Sequence, residues 1–169
     1  PENLKEVIVV EDTLATLQAL ASYHISLIDP ITIAITGSNG KTTTKELLNS
    51  ILSLHAPTLA TEGNLNNHIG VPLTILNLRA HHKYAIIEMG ANHIDEIKHL
   101  AKIAKPKYGL ITSIGKAHLE GFKSTENVIK AKKELFDYLD QNNGISFYNL
   151  NDDNLKNLFV AQENHISLG

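Results

Sequence analysis

The sequence predicts an α/β fold with a doubly wound, mainly parallel sheet, and three observations carry that prediction. Short runs of β-branched and apolar residues alternate with segments whose apolar residues recur at helical spacing, the pattern of parallel strands joined by helical crossovers. One strand runs through a glycine-bounded turn directly into a helix, at Ile31–Thr44 (I-T-I-A-I-T-G-S-N-G-K-T-T-T). The unusual polar stretches, at 61–72, 88–92 and 113–120, each follow a strand. In such sheets the loops at the carboxyl ends of the strands converge on the ligand.

Taken in order, Val7–Val10 reads as a short strand, and Asp12 as the N-cap of a helix with Leu14, Leu17, Leu20 and Ala21 on one face. Ile31–Ile35 is a buried strand, and the helix after the turn spaces Leu47, Leu48, Ile51 and Leu52. Pro57–Ala60 is the next strand. Thr61–Pro72, with three asparagines among glycines, reads as a turn-rich loop. Tyr84–Ile87 is a buried strand ending at Glu88-Met89-Gly90, and residues 94–104 form a helix with Ile94, Ile97, Leu100, Ala101 and Ala104 on one face. Tyr108–Thr112 is a strand. Ser124 caps a helix reaching about Leu139, with Val128, Ala131, Leu135 and Phe136 inward. Asn143-Gly144 turns into strand Ile145–Tyr148, and a helix at Asp153–Val160 and a strand near Ile166 follow.

Composition narrows the function classes. The 169 residues, 43% hydrophobic and 20% charged with net charge −3, suit one globular domain with a substantial core. No basic excess points to nucleic acid or an anionic membrane. The absence of cysteine excludes a disulfide framework and a thiolate zinc site. No apolar run approaches the ~20 residues that span a bilayer, and no signal-peptide pattern opens the chain. A cytoplasmic enzyme is the expectation. The start at Pro1 suggests a piece excised from a longer protein.

The turn Gly37-Ser38-Asn39-Gly40 followed by Lys41-Thr42-Thr43 is an anion site in outline. The first N–H groups of a helix lack internal partners and carry partial positive charge, and glycines let the backbone close on phosphate oxygens. Lys41 would reach the terminal phosphates and the Thr42 hydroxyl would sit on Mg²⁺. The pattern is the short G-x-x-G-K-T, because Ile35 stands where the longer phosphate loop has its first glycine. Glu88, at a strand end, is either a solvated carboxylate or an oxygen ligand for Mg²⁺. His118 is a surface histidine or a ligand. Lys132, between Lys130 and Lys133, reads as part of a solvated basic face, since a free ammonium cannot ligate a metal.

Five segments, in order, carry a resemblance: T-G-S-N-G-K-T-T, G-N-L-N-N-H-I-G-V-P-L-T, I-E-M-G-A-N, A-H-L-E-G-F and K-A-K-K-E-L-F. Together they resemble the Mur ligases, over about Val7 to Tyr148. The asparagine loop and A-H-L-E-G-F are similar to the members that add D-alanyl-D-alanine to a UDP-N-acetylmuramoyl tripeptide.

The resemblance implies an ATP-binding central domain over residues 1–169, cut short near Gly169, without the N-terminal UDP-binding and C-terminal domains. It implies that ATP phosphorylates the tripeptide carboxylate and that the amine of D-alanyl-D-alanine displaces phosphate. Gly37, Ser38, Asn39, Gly40, Lys41, Thr42 and Thr43 would bind ATP, with Thr42 and Glu88 on one Mg²⁺. His118 and Lys132, as a carbamate, would hold a second Mg²⁺, and Asn64, Asn66 and Asn67 would face substrate. Ser113 and Lys123 depart from the residues usual in the family. The full-length form is expected to be a monomer, and the fragment alone inactive. Rival readings are the enzyme adding the third residue, folylpolyglutamate synthase, or a non-catalytic nucleotide-binding domain.

Overall fold

The computed structural model describes residues 7–115, 122, 124–156 and 165–168. Its helices are α1 (Thr13–Ile28), α2 (Lys41–Leu52), α3 (Gly70–Leu76), α4 (Glu96–Ala104), α5 (Thr125–Gln141) and α6 (Asp153–Lys156). Its strands are β1 (Ile31–Thr36), β2 (Thr58–Ala60), β3 (Tyr84–Glu88), β4 (Tyr108–Ile111), β5 (Ile145–Asn149) and β6 (His165–Leu168). They form one sheet in the order β2-β3-β1-β4-β5-β6, and every neighbouring pair is parallel. The doubly wound parallel sheet is therefore present.

Helices on both faces explain why the central strands are nearly continuous apolar runs. On one side α1 packs on α3 and α4, and α4 packs on α3 and α5, while α2 packs on β1, β2 and β3. The right-handed rule for crossovers gives the same arrangement. The connection from β1 leads outward to β2, whereas those from β3 and β4 lead the other way. The reversal opens a crevice beyond the carboxyl ends of β3, β1 and β4. Beneath it, Ile35, Ile86, Ile87, Met89 and Ile111 are fully buried. β1 and β3 are in register from Ile31↔Tyr84 to Ile35↔Glu88, so Glu88 ends level with the start of the phosphate turn.

Local chemistry sets the element ends. Asp12 accepts a hydrogen bond from the Ala15 N–H, and Ser124 from that of Asn127, each a side-chain N-cap. α1 closes on Asp29 in the left-handed region, φ 46°.

Four expectations need correction. Ile94 does not share the buried face of α4: the helix begins at Glu96, after Asp95 in the left-handed region, and Ile94 is exposed. Val7–Val10 is not a strand: Ile8 and Val9 are 89% and 91% exposed and lie against no strand. Alternating apolar residues make a strand only beside a sheet edge that accepts them. In α1 the buried residues are Ala21 and Ile25, whereas Leu14 and Leu20 are exposed. α1 lies on α3 and α4 rather than on the sheet, so a narrow stripe suffices to seat it. The asparagine stretch is a loop only as far as Ile69. Gly70-Val71-Pro72 opens α3, because Asn67 Oδ1 accepts the Ile69 and Gly70 N–H groups and proline is tolerated in a first turn. Of the helix expected at Asp153–Val160, the portion beyond Lys156 lies outside the described residues.

Candidate functional site

The phosphate turn is built by backbone geometry that only glycine permits at one end. Gly37 has φ +142°, and a Cβ there would lie 2.0 Å from Thr112 Oγ1. The turn is stitched to the chain leaving β4. Ser38 N–H donates to the Ser113 carbonyl at 2.8 Å, and the Gly115 N–H donates to Ser38 Oγ at 2.9 Å. Thr112 Oγ1 donates to the Asn39 carbonyl at 2.6 Å. These bonds hold one side of the loop, while Asn39, Gly40 and Thr43 face outward. The first-turn N–H groups of α2 point into the space in front of it, where a phosphate would meet them.

Lys41 lies across its own turn, its Nζ donating to the Gly37 carbonyl at 2.8 Å and the Ser38 carbonyl at 3.5 Å. Burial lowers its pKa, and the Glu88 carboxylate opposes the shift. The ammonium is thus parked on carbonyls that a phosphate oxygen can replace.

Glu88 is 1% exposed, and both carboxylate oxygens are served by neutral donors. Thr42 Oγ1 donates to Oε2 at 3.0 Å and Asn66 Nδ2 to Oε1 at 2.8 Å. The direct hydrogen-bond donors to Glu88 are uncharged, and the charge it feels comes from the Lys41 ammonium nearby. A hydroxyl and a carboxylate oxygen side by side are hard ligands of the kind Mg²⁺ takes alongside phosphate oxygens and water. No group of three or more His, Asp or Glu among the described residues could hold a metal by itself. Thr42 and Glu88 therefore fit an ion whose shell is completed by phosphate.

The three asparagines divide. Asn66 holds Glu88 and, through its carbonyl, the Gly90 N–H at 2.8 Å. Asn67 caps α3. Asn64 contributes its carbonyl to the Asn66 N–H at 2.7 Å and leaves its side chain exposed.

Lys132 is not on a solvated face. It is 1% exposed, whereas its neighbour Lys130 is exposed. Burial, and after it the nearby Lys41, bring its pKa down to about 8, with Glu134 and Glu96 offsetting the fall only partly. Its Nζ stands 5.9 Å from the centre of the Phe122 ring. Lys132 and Lys41 line the same cavity, about 600 Å³, with Asn66, Asn67, His68 and Asn92. His118 and Lys123 lie outside the described residues.

Two carboxylates that the sequence did not single out shape this site. Glu134 is buried, and its oxygens accept the Asp95 N–H at 2.6 Å and the Lys98 N–H at 2.9 Å. It fixes the start of α4, which walls the cavity. The signal was its position three residues after the inward Ala131, which turns it toward the core. Asp152 Oδ2 accepts the Ile114 N–H at 3.0 Å and so anchors the chain that braces the phosphate turn.

The chain's relatives share this arrangement of elements. A UDP-N-acetylmuramoyl-tripeptide–D-alanyl-D-alanine ligase from Buchnera aphidicola is 48% identical over 149 residues, 88% of this chain and 32% of that protein. A crystal structure of MurF from Acinetobacter baumannii superimposes with TM-score 0.87 at 42% identity, over 95% of this chain and 36% of the other. MurF from Thermotoga maritima in complex with ADP gives TM-score 0.86 at 32% identity, over 98% of this chain and 38% of that one. The chain thus spans about a third of the length of the curated relatives it matches. Residues 35–168 match the Mur ligase middle domain, from the end of β1 through the strand that closes the sheet, and by that match the chain belongs to the Mur ligase family.

Proposed function

We propose that this chain is the ATP-binding central segment of a carboxylate–amine ligase that joins D-alanyl-D-alanine to a UDP-N-acetylmuramoyl tripeptide in peptidoglycan precursor synthesis. The observation that carries the reading is the shared cavity. Lys41 from the phosphate turn and the buried Lys132, with pKa about 8, line one space with Asn66, which bonds Glu88 of the Thr42–Glu88 pair. The similarity to D-alanyl-D-alanine ligases at 48% and 45% identity supports the choice of substrates.

In the reaction, an oxygen of the tripeptide's terminal carboxylate attacks the γ-phosphorus of ATP, and ADP leaves. The amine of D-alanyl-D-alanine then adds to the carbonyl of the acyl phosphate. Loss of a proton from nitrogen and of phosphate from carbon leaves the amide. Bringing a carboxylate to a triphosphate sets like charges together, so positioning and charge neutralisation dominate the barrier. The α2 amides and Lys41 would hold the β- and γ-phosphates, and Thr42 and Glu88 would hold one Mg²⁺. A Mg²⁺ held by Thr42 and Glu88 would supply positive charge against that repulsion.

Lys132 suits the family's carbamate because CO₂ adds only to a neutral amine. At pKa about 8, roughly a quarter of the side chain is neutral at pH 7.5, against about 0.1% for an ordinary lysine. The carbamate converts a donor into an oxygen ligand, and His118 would share a second Mg²⁺ with it. No helix among the described residues is long and apolar enough to cross a membrane, and the reading puts the enzyme in the cytoplasm with its nucleotide substrates.

Phosphate release by the full-length protein with Mg²⁺-ATP and UDP-N-acetylmuramoyl tripeptide tests the proposal. Release is expected with D-alanyl-D-alanine and not with single amino acids. Release with another amine would move the protein elsewhere among the amide ligases. None with any amine, despite ATP binding, would leave a nucleotide-binding domain. The 169-residue chain alone is expected to turn over no substrate.

A further inference from the structure

α2 carries one fully buried side chain, and it is a lysine. Lys45, one turn beyond Lys41, is 0% exposed. Its Nζ donates to the Thr61 carbonyl at 2.6 Å and pairs with Glu46, whose carboxylate is 60% exposed, at 2.8 Å. Burying an ammonium is expensive, and leucine or methionine would seat the helix more cheaply. Of its two partners, Glu46 is its exposed neighbour on the same helix, whereas the Thr61 carbonyl ties α2 to the chain leaving β2.

Thr61 holds the end of β3 by two successive bonds along one edge. Its N–H donates to the Ile86 carbonyl at 2.9 Å, and its Oγ1 accepts the Glu88 N–H at 3.0 Å. Thr61 Oγ1 also donates to the Ile86 carbonyl at 3.4 Å, which turns its lone pair toward Glu88. The side-chain hydroxyl thus continues the β2–β3 ladder one step beyond the point where β2 ends at Ala60. The residue so held is the carboxylate that takes the Thr42 hydroxyl. Thr61 also begins the loop that brings Asn66 to the other oxygen of the same carboxylate.

We infer that Lys45 and Thr61 are positioning residues for the Thr42–Glu88 cation site, locking the phosphate helix to the end of β3 so that hydroxyl and carboxylate face one ion. The inference rests on the reading of Thr42 and Glu88 as Mg²⁺ ligands. Lys45 acts from α2, which carries Thr42, and Thr61 acts on the backbone of Glu88. Neither side chain touches nucleotide or metal in this assignment.

The test measures ATP binding to the full-length protein by calorimetry, in EDTA and across a Mg²⁺ titration, for Thr61→Val, Thr61→Ser, Lys45→Met and Glu88→Gln. Thr61→Val keeps shape and removes the acceptor. It is expected to raise the Mg²⁺ concentration for half-maximal binding about five- to tenfold, with metal-free ATP affinity within about twofold. Lys45→Met should shift in the same direction, and Thr61→Ser, which keeps the hydroxyl, should restore the parent curve. A purely structural role would lower thermal stability and weaken both modes of binding alike, which would overturn the inference. An unshifted Mg²⁺ curve in Thr61→Val beside a shifted one in Glu88→Gln would also overturn it, with the metal reading intact. An unshifted curve in Glu88→Gln would remove the metal reading and the inference with it. If Lys45→Met does not fold, the Thr61 pair decides.

Discussion

Asn66 and Glu88 meet at 2.8 Å, amide nitrogen to carboxylate oxygen, joining the asparagine loop to the end of β3. The bond makes the asparagine loop part of the wall of the phosphate site rather than a separate feature. Replacing Asn66 with aspartate puts a second carboxylate at that distance. Two such groups cannot both stay ionised, so one must take a proton or the loop must move. Asn66→Asp is expected to lose about 1–3 kcal/mol of stability in EDTA near neutral pH. Millimolar Mg²⁺ should recover more in the variant than in the parent. Thermal melts in the two buffers check this, and equal Mg²⁺ gains in both proteins would contradict a cation between Glu88 and Thr42.

Lys132 gives a pH prediction. Its pKa is about 8 in the fold, against 10.5 for an ordinary lysine. Between those values the unfolded chain binds more protons, so stability rises as pH climbs through the window. Below pH 8 the full penalty applies, about 3 kcal/mol. In CO₂-free buffer, Lys132→Met should therefore be more stable than the parent at pH 7, and its advantage should shrink toward pH 10. Urea melts at the two pH values measure it, and parallel pH curves would exclude a desolvated lysine.

Gly37 and Gly40 both have positive φ, +142° and +81°, but only one lacks room. A Cβ at Gly37 would strike Thr112 Oγ1 at 2.0 Å, whereas at Gly40 its nearest neighbour is 3.9 Å away. Gly40→Ala is expected to cost about 1–2 kcal/mol, the ordinary price of a left-handed alanine. Gly37→Ala should cost more than that and also weaken ATP binding, because relief requires moving Thr112 away from Asn39. Chemical denaturation and nucleotide titration of the two variants test the order, and a reversed order would contradict this packing.

Glu134 accepts two N–H groups at the start of α4. Burial raises its pKa, and the two N–H bonds act against that rise. Its folded-state pKa above the unfolded value means that this group's contribution falls as pH rises from the unfolded pKa through the folded one. Glu134→Ala leaves the Asp95 and Lys98 N–H groups unpartnered and should cost about 1–3 kcal/mol. Amide exchange should quicken in the first turn of α4 before it does in β1. Uniform exchange would show that α4 does not depend on this cap.

How much of this could be read from residues alone followed from how local each feature is. The β1–turn–α2 unit is contiguous, and its glycines, lysine and threonine sit where their chemistry requires them. Glu88 became readable through topology, since a parallel sheet delivers its strand ends to one edge. The burial of Lys132 was obscured by its neighbours, because K-A-K-K reads as a charged face. Helical spacing held the contrary signal: Val128 and Phe136, four residues to either side, are both fully buried. The start of α3 was hidden because glycine and proline read as a break, and the cap that overrides them is a side chain three residues earlier. Lys45 left no trace, since a lysine on a helix is ordinarily solvated and its partner is a carbonyl on another element.

The place of β1 at the centre of the sheet has a consequence for synthesis. Thr36 bonds to Met89, 53 residues later, and Thr112 returns to Thr36 across 76. A ribosome releases β1 and the phosphate turn long before it releases either neighbouring strand. Until then Ala34 and Ile35 have no sheet to enter, and β1 offers a bare apolar edge to any other nascent chain. Slowing elongation after β1 would lengthen that exposure, whereas a pause once β3 has emerged would let the first pair close.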